Sequence, residues 1–104
     1  MTPEAIIAEA TQRLVAQFAP QAVFLFGSRA AERATADSDF DLFVVLPDGA
    51  DARIAPGLMR RALLGLPAAF DIVVANAAPW RRWSAVPATM EHRVATQGVA
   101  LYGG

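Results

Sequence analysis

The stretch from Asp39 through Leu46, Asp-Phe-Asp-Leu-Phe-Val-Val-Leu, constrains the fold of this chain more than any other segment. It is rich in strand formers and is closed by the turn signal Pro47-Asp48-Gly49. Its far end is apolar on both faces, the pattern of a central strand covered by helices. The remaining segments have to supply both the neighbouring strands and that cover.

Thr2-Pro3-Glu4 reads as a helix start. Thr2 is the N-cap, Pro3 takes the first helical position, and Glu4 sits near the positive end of the helix dipole. Ile6, Ala10, Leu14 and Phe18 then recur at fourfold spacing, predicting an amphipathic helix that ends near Pro20. Ala22 to Phe26 is a short apolar strand, broken by Gly27-Ser28, which begins a short helix. A polar loop runs through Thr35, Asp37 and Ser38. Ile54, Leu58, Ala62 and Leu66 predict a second long helix, with Pro56-Gly57 weakening its first turn and Gly65 and Pro67 marking its end. Ala69 to Val74 is a third strand. Pro79 can open another helix, Pro87 interrupts it, and Ala88 to Gln97 continues to Gly98 as C-cap. The apolar tail Val99 to Tyr102 can add an edge strand. Strands alternating with helices, without repeats or linkers, predict an α+β fold: one domain over residues 1–104, a mixed central sheet packed with helices.

With 104 residues, 55% of them hydrophobic and 18% charged, the chain can bury one modest core and is not disordered. No apolar run approaches the roughly 18 residues that a membrane span needs. The N-terminus lacks a basic stretch leading into a hydrophobic core, so a cytoplasmic protein is expected. The absence of cysteine excludes disulfides, thiolate zinc sites and thiol nucleophiles. A net charge of −1 argues against stable DNA binding but leaves a small phosphate ligand open. All nine basic residues are Arg, a bias that genomic base composition explains.

Asp39 and Asp41 are two apart on the predicted strand, so their carboxylates leave the same face, roughly 7 Å apart along the backbone. Two such acids repel each other, and a divalent cation between them removes that cost. Oxygen-only ligands suit Mg²⁺. Asp71 stands before Ile72-Val73-Val74 as Asp41 stands before Leu42 to Leu46. If the two strands are neighbours, the three carboxylates could hold two ions about 3.5 to 4 Å apart, clamping the attacking and leaving oxygens of a phosphoryl displacement. The alternative is that these acids only solubilise strand ends.

Gly27-Ser28 offers close backbone approach and free amides for phosphate oxygens, although a capped strand-to-helix turn looks the same. Arg29 could neutralise triphosphate charge, or pair with Glu32 or Asp37 as a surface residue. His92, beside Glu91 and Arg93, reads as a helix-surface histidine. A Ser28-His92 hydrolase lacks the Gly-x-Ser-x-Gly elbow. Trp80 and Trp83, flanking Arg81-Arg82, could present a binding surface or pack on the sheet from one helix face.

Taken together, Gly27-Ser28, ten intervening residues and Asp39-Phe40-Asp41 resemble the signature of the polymerase beta-like nucleotidyltransferase superfamily. The stretch Phe26 to Ala30 continued by Asp37 to Leu42, with the ending Gly98-Val99-Ala100-Leu101-Tyr102, is most similar to minimal nucleotidyltransferases, the antitoxin partners of HEPN-domain toxins. The resemblance implies that Asp39 and Asp41 are metal ligands and that Gly27 and Ser28, with Arg29 beside them, hold the triphosphate. It makes Asp71 the third carboxylate, which shares the metal and activates the acceptor hydroxyl. Ala31-Glu32 departs from the Arg-Gly that many relatives carry there, which bears on nucleotide binding.

The implied reaction is attack of a hydroxyl on the α-phosphate of a nucleoside triphosphate, with ATP as donor and two Mg²⁺ ions as cofactors. Relatives that modify antibiotics or nucleic acids carry an extra domain for the acceptor. A chain of this length has no room for one, so the acceptor is expected on a partner protein, a HEPN toxin carrying a hydroxyl such as that of Tyr. The competing expectations are an antitoxin that neutralises its toxin by binding and occlusion, without catalysis, and a plain globular domain.

Overall fold

The computed structural model describes residues 1–30 and 39–103. The loop through Thr35, Asp37 and Ser38, together with Ala31 and Glu32, lies outside the described residues.

The first helix, α1 (Pro3–Phe18), starts as its sequence dictates, with the Thr2 hydroxyl accepting from the Ala5 amide. Ile6, Ala10 and Leu14 form its buried line. It ends at Ala19 in the left-handed conformation, just before Pro20. Strand β1 (Ala22–Phe26) runs into the short helix α2 (Gly27–Ala30), and β2 (Phe40–Leu46) returns antiparallel to β1. After helix α3 (Ala55–Ala62), strand β3 (Phe70–Asn76) lies parallel to β2, a strand-helix-strand crossover. Helices α4 (Ala77–Ser84) and α5 (Met90–Gln97) lead to β4 (Val99–Gly103), antiparallel to β1. The four strands form one mixed sheet in the order β3-β2-β1-β4.

Alternation along β2 divides the interior in two. Leu42, Val44 and Leu46 face α1 and α3 in a cluster with Ala10, Leu14, Met59 and Leu63. Phe43 and Val45 face α4 and α5 with Phe24, Ala77 and Val94. The central strand is therefore covered on both sides, as its two apolar faces demand. Every described buried residue on this core is apolar.

Three helix boundaries differ from the sequence reading. In α3 the buried line is Ala55, Met59 and Leu63, one position on from Ile54 and Leu58, which stand 59% and 50% exposed. Both lines repeat every four residues, and only the crossover's docking on the sheet distinguishes them. Pro56 falls in the first turn, where no amide is required, and does not weaken it. The helix stops at Ala62, short of Leu66, because the chain unwinds over Leu63 and Leu64 into Gly65 at φ 93°. Arg13 Nη1 from α1 donates to the released Ala62 and Leu64 carbonyls at 3.2 and 3.0 Å.

Helix α4 opens at Ala77 rather than Pro79, since the first turn accommodates a proline. Ala88 stands before α5, at φ 71°, and Thr89 is the N-cap, accepting from the His92 amide. The same hydroxyl lies 2.8 Å from the Trp83 and Val86 carbonyls, and His92 Nδ1 lies 2.9 Å from the Ser84 carbonyl. His92 thus pins the corner between the two helices. Of the two tryptophans only Trp80 packs on the sheet, its ring 5.1 Å from those of Phe24 and Phe43, while Trp83 is 43% exposed.

Candidate active site

The register of the sheet brings the expected carboxylates together. Asp41 of β2 and Asp71 of β3 are direct partners in the parallel ladder, so their side chains leave the same face side by side. Across the other edge of β2, Asp41 pairs with Phe26, the last residue of β1. That pairing sets the following residue, Gly27, against the Asp41 carboxylate.

Gly27 adopts φ 74°, a left-handed conformation suited to glycine, and a Cβ built there would overlap Asp41 Oδ2. The turn and the carboxylate occupy one place because the residue between them has no side chain. Asp39 sits one residue before β2, exposed, on the strand parity of Asp41. Ser28 follows in α2 and is half-buried.

Electrostatics mark the same spot. Burial holds the Asp41 carboxyl above its ordinary 3.8, and the negative charges of Asp71 and Asp39 push it in the same direction. Burial disfavours the charged form, and the neighbouring acids add their repulsion to it. Among the described residues no three carboxylate or imidazole groups are already gathered as a ligand cage. The donor set fits Mg²⁺: it is all oxygen, its negative charges act on one another, and Gly27 clears the backbone from its rim.

Arg29 lies on the other side of the sheet. Its guanidinium carbon is 4.0 Å from the centre of the Phe40 ring, and Phe40 stacks on Phe70 with centroids 5.5 Å apart. Glu32 and Asp37, its other expected partners, fall outside the described residues. Phe40 and Phe70 were not singled out by motif reasoning, yet a signal exists: each precedes an acid, in Phe40-Asp41-Leu42 and Phe70-Asp71-Ile72. His92 takes a structural place at the α4–α5 corner and Trp80 one under α4, while Trp83 is exposed.

A mixed sheet with paired carboxylates at the starts of adjacent strands and a glycine turn against them defines a nucleotidyltransferase domain. The family described as "Polymerase beta, Nucleotidyltransferase" matches residues 9–103, and the chain belongs to it. Solved structures share the fold at low identity. A chain of a toxin–antitoxin complex with AMP-PNP superposes with TM-score 0.64 at 24% identity, over 93% of this chain and 73% of that one. A toxin–antitoxin MntA-HpeT complex, a mutant with two aspartates two positions apart changed to glutamate, gives 0.62 at 22%, over the same shares of 93% and 73%. A protein from Sulfolobus solfataricus described as a nucleotidyltransferase gives 0.58 at 21%, over 75% of this chain and 70% of its own. No curated protein matches the sequence closely enough to show a relationship. Among the described residues no helix is long and apolar enough to cross a membrane.

Proposed function

We propose that the chain transfers a nucleoside monophosphate, AMP from ATP, to a hydroxyl on a partner protein, and that this partner is a HEPN-family toxin which it neutralises. The observation that carries the reading is the in-register pairing of Asp41 with Asp71 beside the Gly27 turn. The likeness to toxin–antitoxin structures, one bound to AMP-PNP, supports the nucleotide and the kind of partner.

In this reading Asp39, Asp41 and Asp71 hold the metal, and the amides and hydroxyl at Gly27-Ser28 hold triphosphate oxygens. Arg29 belongs to the same turn, with its guanidinium packed on Phe40. Two Mg²⁺ ions, when bound, would neutralise charge on the attacking and leaving oxygens. The acceptor oxygen forms a bond to the α-phosphorus, the bond to pyrophosphate breaks, and the hydroxyl proton passes to Asp71. Positioning and charge neutralisation supply most of the acceleration, since no covalent enzyme intermediate is required. The protein would work in the cytoplasm, where ATP and such a toxin meet.

The test incubates the purified protein with Mg²⁺, α-labelled nucleoside triphosphates and the partner it captures, beside Asp39→Asn and Asp41→Asn variants. Label on the partner that depends on both carboxylates supports transfer. Neutralisation of the toxin by Asp39→Asn as complete as by the wild type, with no label in either, would favour occlusion instead.

A further inference from the structure

The two acid-bearing strands meet at their starts, the ends of a parallel pair where ladder hydrogen bonds run out and fraying begins. One ladder bond remains beyond Asp41, from the Phe40 amide to the Ala69 carbonyl at 3.0 Å. A site built at such an end needs another source of rigidity, because a carboxylate that wanders by an ångström no longer shares an ion with its neighbour.

The opposite face of the sheet supplies one. Phe40 and Phe70 are ladder partners, as Asp41 and Asp71 are, so each acid has an aromatic ring directly behind it in sequence and on the reverse face. The rings lie 23° from parallel, and Phe40 is 2% exposed. The Arg29 guanidinium covers the Phe40 ring from α2, the helix that begins with Gly27 and Ser28. Three pieces of the site are thereby joined from behind: the glycine turn, the β2 acids and the β3 acid.

We propose that Arg29, Phe40 and Phe70 are positioning residues, a stacked brace that fixes the Gly27-Ser28 turn and the Asp41–Asp71 pair in the geometry that binds a divalent cation. The proposal rests on the metal-site reading above. The brace lies on the face of the sheet opposite the Asp41 and Asp71 carboxylates. It acts by holding the backbones from which the ligands project, as supporting contacts around metal ligands generally do. It also gives Arg29 a task on the face away from the carboxylates, and it accounts for the Phe-Asp-aliphatic pattern at the start of both strands.

Phe40→Leu keeps the site apolar and removes the ring, while Arg29→Gln removes the cation from a partly exposed position and does not threaten folding. Mn²⁺ serves as the probe, its binding followed by electron paramagnetic resonance, and amide hydrogen exchange is read at Phe40 and at Phe43 in mid-strand. Both variants are expected to bind Mn²⁺ about ten- to a hundredfold more weakly than the wild type. Exchange should quicken at residue 40 and stay unchanged at Phe43, and Phe40→Tyr should restore both. Mn²⁺ binding within about twofold of the wild type in both variants overturns the brace, even if exchange quickens. A wild-type protein that binds no Mn²⁺ sinks the metal-site reading separately. In that case unchanged exchange at residue 40 still overturns the brace, and quickened exchange supports it as the clamp on the strand starts.

Discussion

At Gly27 a single missing methyl group decides whether the site exists. Gly27→Ala would both strain a left-handed backbone and drive its Cβ into the Asp41 carboxylate, so the turn and the acid can no longer share their place. The expected outcome is loss of nucleotide transfer by about two orders of magnitude or more, the scale at which small misplacements act. The protein should remain folded, as circular dichroism beside the labelling assay would show. Asp41 leads to a second prediction. Its carboxyl titrates higher in the folded protein than its ordinary 3.8, so the native state holds more protons than the unfolded state just above that pH. Metal-free stability should therefore fall as pH rises from 3.8 through the folded value and level off beyond it. Asp41→Asn should remove this part of the slope and make the metal-free protein more stable at neutral pH, an outcome that chemical denaturation at several pH values can check. A variant with the wild-type slope would show that the convergence of acids has no cost. These residues were legible as candidates because carboxylates two apart on a strand share a face whatever the fold. The contact between Gly27 and Asp41 was not legible, since it depends on the β1–β2 register.

At the scale of elements, the start of α1 could be read from Thr2 and Pro3 because caps are local chemistry, and the strands from their composition. The face that α3 buries could not, because Ile54/Leu58 and Ala55/Met59 have the same period and the choice belongs to the crossover onto β3. The pairing of Asp41 with Asp71 was likewise conditional on strand order, which no single segment encodes. The α4–α5 corner makes the point with one side chain. Thr89 caps α5 and bonds back to carbonyls of the α4 end, at Trp83 and Val86, while His92 reaches Ser84. Thr89→Ala should cost about 1 kcal/mol through the lost cap. Trp80→Ala should cost about 3 to 5 kcal/mol, because its ring fills the layer between α4 and the rings of Phe24 and Phe43. Trp83→Ala, at an exposed position, should cost far less, and urea denaturation of the three variants orders them. Equal losses at Trp80 and Trp83 would contradict the packing described here.

For the whole molecule, the division of labour between the two faces of the sheet links stability to the site. The α1–α3 face is closed by aliphatic packing and ends in the Arg29–Phe40–Phe70 stack, whereas the α4–α5 face ends in acids whose negative charges act on one another. A fold that places like charges together gives up stability that a bound cation restores. On the proposed reading, the metal would be a folding ligand as well as a cofactor. Divalent cation at tenfold excess over its dissociation constant should stabilise the native state by about 1.4 kcal/mol. For a domain of this size that raises the melting temperature by about 6 to 11 °C. Asp41→Asn should begin from a higher metal-free melting temperature at neutral pH and gain little from the cation. Scanning both proteins with Mg²⁺ and with a monovalent salt of equal ionic strength therefore separates binding from screening, since only a bound cation should raise the wild type well beyond what the monovalent salt does. Parallel rises in the two proteins would mean that the cation acts elsewhere, and that the paired acids are not its site.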